Sequence, residues 1–143
     1  MTTLIITEDG MWSDGRVTCG DEVQTDSYAK VFRYKDCVVG ATGAVYDLEA
    51  AAEVYIDGGD MSEFTDISGS AFIYQGGILR RLNIKDKVKL SREQGVECYG
   101  SGAQFAKAAM DFGKTPYEAI EYAGTRDIFT GGEIFNVMFS EAE

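Results

Sequence analysis

Short runs rich in β-branched residues, separated by turn residues, occupy much of this 143-residue chain. The turn residues at Glu8–Gly10 and at Gln75–Gly77 each lie between two such runs, a pattern that predicts hairpins. A chain built from hairpins forms largely antiparallel sheets, because parallel neighbours need long crossover connections. The expected strands are Thr2–Thr7, Met11–Thr18, Tyr28–Arg33, Cys37–Gly40, Ser70–Tyr74, Ile78–Ile84, Val96–Tyr99 and Glu133–Phe139.

Three segments have helical periodicity instead. The first follows Gly43 and ends at Gly58-Gly59, and the second follows Gly102 and ends at Gly113. The third begins at Thr115, where a proline comes next and a glutamate stands three positions on. Threonine, proline and glutamate at this spacing are typical of a capped helix start.

The order of these elements is strands, one helix, strands, two helices and a last strand. This order predicts an α+β fold, a four-layer α/β/β/α sandwich of two mainly antiparallel sheets. A chain of this length is expected to form one domain, here residues 1–143, with a substantial core. The polar stretch from Cys19 to Ser27 is expected to be a loop.

Charge and cysteine content narrow the possible partners and compartment. The chain has 24 acidic and 13 basic residues, a net charge of −11, without a basic cluster, which argues against nucleic acid and anionic membrane as partners. Its start, MTTLIITEDG, has no basic flank and no long apolar run, so we expect neither a signal peptide nor a membrane anchor. Three cysteines, an odd number, predict reduced thiols in the core of a cytoplasmic protein.

The chain contains no histidine, which excludes Ser-His-Asp and Cys-His catalysis and argues against a zinc site. Any nucleophile must therefore take its base from a lysine, a carboxylate or the chain terminus. Methionine before a small residue is usually removed during synthesis, and removal of Met1 would leave Thr2 with a free amine beside its hydroxyl. The amine can then act as the base for that hydroxyl. Thr3 is expected to be only the next strand position.

Asp14 and Lys30 are candidate site residues on two expected strands. Each also has a purely structural explanation: Asp14 on an exposed strand face, and Lys30 with its stem packed against aromatic neighbours. If the two side chains are adjacent, the carboxylate holds the ammonium, and the lysine lowers the pKa of a nearby hydroxyl or amine.

Three further motifs are ambiguous in the same way. Gly43, at a strand-to-helix junction, is either a tight turn or a backbone N–H donor to an oxyanion. Ser101, between two glycines, is either a helix cap or a site residue. Asp127 and Thr130, before Gly131-Gly132, form either a turn or a hydrogen-bonded network under a site.

Taken in order, these motifs resemble those of the proteasome β-subunit family, most closely the HslV-type bacterial peptidase. The resemblance runs from Thr2 to about Phe139, effectively the whole chain. The motifs that carry it are Thr2-Thr3, Asp14-Gly15-Arg16-Val17-Thr18, Ala29-Lys30-Val31, Gly40–Gly43 with Asp47 one turn later, Gly100-Ser101-Gly102 and Asp127–Gly132.

The resemblance implies the N-terminal nucleophile hydrolase fold and a threonine peptidase. Thr2 would be the nucleophile and its amine the general base, directly or through water. Asp14 and Lys30 would be the supporting charge pair, and the Gly43 N–H the oxyanion donor. The resemblance also implies that Ser101 and Asp127 hold the Thr2 amine and that Thr18 binds the substrate backbone.

Pocket and cation positions follow from the same resemblance. Ala41 and Val45 are small and apolar near the presumed pocket, which favours an apolar substrate side chain. No cofactor is required, but family members often hold a cation with backbone carbonyls near the last helix. A structural monovalent or divalent cation is therefore expected at Gly124, Asp127 and Thr130.

The resemblance also implies a homo-oligomeric ring that acts on polypeptides in the cytoplasm. Relatives carry a second long helix where this chain has a short loop between Asp57 and Ser70, and its loss argues against docking of an ATPase unfoldase. The loss leaves an alternative open, a non-catalytic ring or scaffold protein without peptidase activity. A small-molecule-binding α/β domain would explain the composition but not the order of the motifs.

Overall fold

The structure is a computed structural model that describes residues 2–93 and 96–141. Within these residues the helices are α1 (Val45–Ile56), α2 (Ala103–Asp111) and α3 (Pro116–Gly124), and none of them is long and apolar enough to cross a membrane. The strands, in chain order, are β1 (Leu4–Ile6), β2 (Gly10–Ser13), β3 (Val17–Cys19), β4 (Glu22–Thr25), β5 (Val31–Tyr34), β6 (Cys37–Gly43), β7 (Ile67–Gln75), β8 (Ile78–Lys85), β9 (Lys87–Glu93), β10 (Glu97–Tyr99) and β11 (Phe135–Met138).

The strands form two main sheets and one separate hairpin. One sheet has four strands in the order β10-β1-β2-β11, and the other has five in the order β5-β6-β7-β8-β9. The hairpin consists of β3 and β4. Every strand pairing among the described residues is antiparallel, as the hairpin turns in the sequence predict.

Alternating side chains of β1 connect two of the layers. Leu4 and Ile6 pack with Phe72 of the five-stranded sheet, whereas Ile5 packs with Ala106 and Ala119 of α2 and α3. This alternation follows from the two-residue period of a strand. The four-stranded sheet therefore lies between the other sheet and the α2–α3 pair.

The opposite face of the five-stranded sheet is covered by α1. Ala41 and Ile73 on that face pack with Leu48 and Ala52 of the helix. The layers are thus α2 and α3, sheet, sheet, α1, and the predicted four-layer sandwich is confirmed.

Two predictions for the exposed part of the chain are wrong. The expected loop from Cys19 to Ser27 contains β4, which pairs with β3 at the end of the expected strand Met11–Thr18, and β9 is an edge strand missing from the predicted set. Both regions are largely exposed, so they lack the alternation of apolar and polar residues by which a strand is recognised in a sequence.

The cysteines are only partly core thiols. Burial raises the pKa of Cys37 and of Cys98 to about 11, as expected for inert thiols inside the protein. Cys19 is exposed in the β3–β4 hairpin, which corrects the expectation of three core thiols. All three are free.

The predicted start of α3 is confirmed in detail. The Thr115 hydroxyl accepts the Glu118 N–H at 3.2 Å, and the Glu118 carboxylate accepts the Thr115 N–H at 3.0 Å. This reciprocal capping box satisfies two backbone donors that the first turn would otherwise leave unpaired.

Substitution Thr115→Val is expected to lower the free energy of unfolding by about 1 kcal/mol, because it removes the cap but keeps the β-branched shape. Urea denaturation followed by circular dichroism measures the change. Thr65→Val, at an exposed loop position, is the matched control. Equal stability of the two variants would contradict a contribution of the cap.

Candidate active site

A buried ion pair lies at the centre of the candidate site. Asp14 follows β2, Lys30 precedes β5, and the Lys30 Nζ donates to the Asp14 Oδ1 at 2.9 Å, with both side chains fully buried. Burial lowers the pKa of Lys30, and the attraction of the Asp14 carboxylate offsets only part of this effect. The structure thus brings together the two residues proposed as a charge pair.

Backbone donors complete the environment of the Asp14 carboxylate. The Thr3 N–H donates to Oδ1 at 3.1 Å, and the Gly131 N–H donates to Oδ2 at 3.0 Å. The Arg16 N–H adds a longer contact of 3.4 Å to Oδ2. Both oxygens of the buried Asp14 carboxylate therefore accept hydrogen bonds from the backbone.

A second carboxylate, Asp127, is held by hydroxyl groups. Its Oδ2 accepts the Ser101 hydroxyl at 2.5 Å and the Thr130 hydroxyl at 2.7 Å, and its Oδ1 accepts the Phe129 N–H at 3.2 Å. Burial by itself raises the pKa of Asp127, but these donors lower it overall. Asp127 is therefore an ionised group at neutral pH.

Ser101 is a member of this network and not the cap of α2. The N-cap of α2 is Gly102, which makes no side-chain capping bond. Gly100, on the other side of Ser101, has φ +100°, and a Cβ there would lie 1.8 Å from the Thr2 carbonyl oxygen. The first glycine of the motif thus makes room for the backbone of Thr2.

A cavity of about 620 Å³ brings the predicted nucleophile together with other site residues. Thr2 is fully buried, and its hydroxyl has no hydrogen-bond partner within residues 2–93 and 96–141. Leaving a buried hydroxyl unpaired is costly, so such a group calls for an explanation. The lining residues are Thr2, Thr18, Gly20, Thr42, Gly43, Ala44, Ser68, Gly69, Gly100, Ser101 and Phe129.

Two residues predicted for the substrate pocket lie elsewhere. Ala41 and Val45 are buried in the core between the five-stranded sheet and α1, and neither lines the cavity. Because strand residues alternate in direction, Thr42 faces the cavity and Ala41 faces the helix. The apolar preference inferred from Ala41 and Val45 therefore loses its basis.

The three positions predicted to hold a cation lie at the end of α3 and in the turn after it. The Asp127 carbonyl already accepts the Thr130 N–H at 3.0 Å, and the Asp127 carboxylate is occupied by its three donors. Among the described residues, no group of three or more acidic, cysteine or histidine side chains is arranged around a common point. A cation on the carbonyls of Gly124, Asp127 and Thr130 stays a prediction.

Sequence reasoning offered an Asp127–Thr130 network as one of two interpretations, and the structure contains this bond, but the roles of Thr3 and Gly131 were missed. Thr3 is fully buried, and its hydroxyl is hydrogen-bonded to the Thr130 hydroxyl at 2.8 Å across 127 positions of the chain. The spacing of residues within one strand carries no signal for such a contact. The repeated threonine at the start of the chain, and Thr130 beside Asp127, were the available signals.

A further acidic side chain, Glu49, contacts the segment that leads from Tyr28 through Lys30 into β5. The Tyr28 hydroxyl donates to the Glu49 Oε1 at 2.5 Å, and Glu49 belongs to α1. Burial raises the pKa of Glu49 to about 6, against an ordinary value of 4.5, although the Tyr28 bond and the charge of Lys30 act in the opposite direction. The folded state therefore binds a proton at Glu49 more tightly than the unfolded state does.

The raised pKa of Glu49 predicts how stability depends on pH. Between pH 4.5 and about 6 the folded state holds more protons at Glu49 than the unfolded state, so stability falls as the pH rises through this window. Glu49→Gln removes this titration. The free energy of unfolding of the variant, measured relative to that of the wild type, should therefore rise as the pH increases through this window. Urea unfolding at several pH values tests this, with Asp47→Asn, exposed on the same helix, as the control for loss of one acidic charge.

Removal of one partner of the buried ion pair is expected to be severe. Lys30→Met should lower the free energy of unfolding by about 3–5 kcal/mol, because it leaves the Asp14 charge buried without its cation. Lys107→Met is the matched control, since Lys107 is an exposed lysine paired with Glu97. It should change stability little. Equal effects of the two variants would contradict the importance of the Asp14–Lys30 pair.

Comparison with known proteins gives matches by structure only. No protein-family model matches the chain, and no curated protein matches it by sequence. The eukaryotic HslV from Trypanosoma brucei is similar in structure, with a TM-score of 0.66 and 20% identity over 96% of this chain and 97% of the other.

Two structures of Thiobacillus denitrificans BPH are similar to nearly the same degree. One has a TM-score of 0.65 at 14% identity, covering 96% of this chain and 97% of the other. The second, in complex with epoxomicin, has a TM-score of 0.65 at 12% identity and covers 96% of both chains. At these identities the likeness establishes the fold, and the predicted HslV-type N-terminal nucleophile hydrolase fold is confirmed.

Proposed function

We propose that this chain is a threonine-type endopeptidase in which Thr2, made N-terminal by removal of Met1, is the nucleophile. Met1 itself lies outside the described residues. The observation that carries the proposal is the buried Thr2 hydroxyl, which has no hydrogen-bond partner in the described part of the chain and lines a cavity with Gly43 and Ser101. A hydroxyl that faces a cavity and donates to no protein acceptor is available to give its proton to the Thr2 amine and to attack a bound carbonyl.

The charges near Thr2 suit this chemistry. Asp14 binds the N–H of the next residue, Thr3, and the buried Lys30 ammonium lies 2.9 Å from the same carboxylate oxygen. A positive charge close to the N-terminal amine favours the neutral form of the amine, which is the form that accepts a proton. In this proposal Asp14 holds the lysine, and Lys30 tunes the base.

The reaction has two halves. The Thr2 amine takes the proton of the Thr2 hydroxyl, directly or through water, and Oγ1 attacks the substrate carbonyl carbon. In the proposal the Gly43 N–H binds the oxyanion, while Ser101 and Asp127 position the amine and Thr18 binds the substrate backbone. The C–N bond then breaks, the leaving amine takes the proton, and water hydrolyses the acyl ester to regenerate Thr2.

The proposed function includes an assembly. We propose a homo-oligomeric ring that acts on polypeptides in the cytoplasm, as the resemblance to the proteasome β-subunit family implies, and the structural similarity to HslV supports this proposal. Residues 57–66, between α1 and β7, form turns and no helix, which argues against docking of an ATPase unfoldase without ruling it out. The cation proposed at Gly124, Asp127 and Thr130 has no role in the proposed reaction.

The nucleophile is tested on purified protein whose intact mass shows Thr2 as the first residue. This protein should hydrolyse fluorogenic peptides, and Thr2→Ala should reduce kcat/KM by roughly three orders of magnitude or more, because the attacking group is removed. Incubation with epoxomicin, which is bound by one of the fold neighbours, should add one inhibitor mass to the wild type and none to the variant. Native mass spectrometry of the same sample reports the number of subunits.

Thr2→Ser is the matched control, since it keeps an N-terminal amine and hydroxyl, and it should retain activity and labelling. Full activity of Thr2→Ala would disprove the proposed function. Retention of Met1, with no labelling by epoxomicin, would favour the non-catalytic ring or scaffold protein instead.

A further inference from the structure

Thr3 is linked to both carboxylates of the candidate site, directly to Asp14 and through the Thr130 hydroxyl to Asp127. Its N–H donates to the Asp14 Oδ1 at 3.1 Å, and its carbonyl accepts the Asp14 N–H at 3.3 Å. Its hydroxyl is 2.8 Å from the Thr130 hydroxyl, which in turn donates to Asp127 at 2.7 Å. Every polar group of this fully buried residue is therefore engaged.

The direction of the hydroxyl chain follows from its chemistry. A hydroxyl has one proton, and the Thr130 proton is donated to the Asp127 carboxylate, which can only accept when ionised. Thr3 must therefore donate to Thr130. Ser101 donates to the same Asp127 oxygen at 2.5 Å, so Thr3 and the cavity-lining Ser101 are joined through one carboxylate.

Glycine at position 102 leaves space for this contact. A Cβ on Gly102 would lie 2.0 Å from the Thr3 hydroxyl oxygen and 2.8 Å from the Thr130 hydroxyl oxygen. Ordinary contacts at a Cβ are longer than 3.4 Å, so any side chain here would displace the pair. The second glycine of the Gly100-Ser101-Gly102 motif thus accommodates the hydroxyl of Thr3.

The Thr2 hydroxyl has no comparable anchor, since it has no hydrogen-bond partner in the described residues. The Thr2 carbonyl lies close to Gly100, where a Cβ would be 1.8 Å from the carbonyl oxygen. The peptide bond after Thr2 links it to Thr3, whose N–H, carbonyl and hydroxyl are all hydrogen-bonded. Because Thr3 is hydrogen-bonded to Asp14 on one side and to Thr130 on the other, it limits the directions in which Thr2 can point.

We infer that Thr3 is a positioning residue that orients Thr2 by bridging Asp14 and the Asp127 network, an inference that rests on the proposed function. Its hydroxyl does not touch substrate; it keeps the Thr2 hydroxyl and amine at a fixed place in the cavity. Displacement of a reacting group by about 1 Å can cost roughly 100-fold in rate, so loss of the anchor acts on kcat.

The test compares Thr3→Val, which removes the hydroxyl and keeps the shape, with Thr3→Ser, which keeps the hydroxyl. Thr3→Val should lower kcat by about 10- to 100-fold and leave KM within about twofold, and Thr3→Ser should retain most of the wild-type kcat. Gly102→Ala perturbs the same contact without changing Thr3, and it should lower kcat in the same way. If Thr3→Val does not fold, the kcat of Gly102→Ala still tests whether this contact matters for the reaction.

Thr115→Val is the matched control, because it makes the same chemical change at the remote cap of α3 and lowers stability without touching the site. A wild-type kcat in Thr3→Val and Gly102→Ala would overturn the inference. A kcat loss in Thr115→Val equal to that in Thr3→Val, at equal melting temperature, would overturn it as well, since stability would then explain both.

Hydrogen exchange separates this inference from the proposed function. If wild-type protein that begins at Thr2 hydrolyses no peptide, the proposed function fails, but the anchor remains measurable at the amides of β1. Faster exchange of the β1 peptide in Thr3→Val than in Thr115→Val would still support Thr3 as the anchor of the N-terminus. Equal exchange in the two variants would overturn the inference.

Discussion

The carboxylate of Asp14 is the contact on which the rest of the site depends. It accepts hydrogen bonds from the Lys30 ammonium and from the backbone of Thr3 and Gly131, so it joins the start of β1, the end of β2, the start of β5 and the loop before β11. These four segments come from both sheets. A fully buried anion is tolerated because each of its oxygens has a donor, and the loss of any one donor changes the balance for the others.

The two carboxylates around the N-terminal segment have different surroundings. Asp14 faces a full positive charge and backbone N–H groups, whereas Asp127 faces two hydroxyls and one N–H. The Lys30 ammonium supplies a charge opposite to that of Asp14. Around Asp127 each hydroxyl has a single proton, which determines the direction of its hydrogen bond. The segment between the two acids is therefore restrained electrostatically on one side and geometrically on the other.

Local patterns in the sequence were enough for most of the fold. Hairpin turns such as Gln75–Gly77 and the capped start of α3 at Thr115 depend on residues close together in the chain, and both were predicted. Strands β4 and β9 were missed because exposed strands lack an apolar face that could mark them. Ala41 was misplaced because the direction of its side chain depends on which face of β6 meets α1, and Val45 because it lies on the face of α1 that packs against that sheet; neither contact is local.

The candidate site was predictable only in part, for the same reason. Asp14 and Lys30 are charged residues on two expected strands and fit the order of the family motifs, and the structure pairs them. Thr3 gives no such signal, since a β-branched residue in a strand is ordinary. Its partner Thr130 lies 127 positions away, and only packing of the fold brings the two hydroxyls together.

Burial of Thr2 also ties the candidate site to folding of the whole chain. The residue is fully buried, and its carbonyl lies against Gly100, just after β10, the strand that pairs with β1. The cavity that Thr2 lines is walled by residues from Thr18 to Phe129, which come from several separate elements. In the proposed chemistry the Thr2 hydroxyl therefore gains its surroundings only when these elements have packed together, and an unfolded subunit carries no assembled site that could cut other proteins.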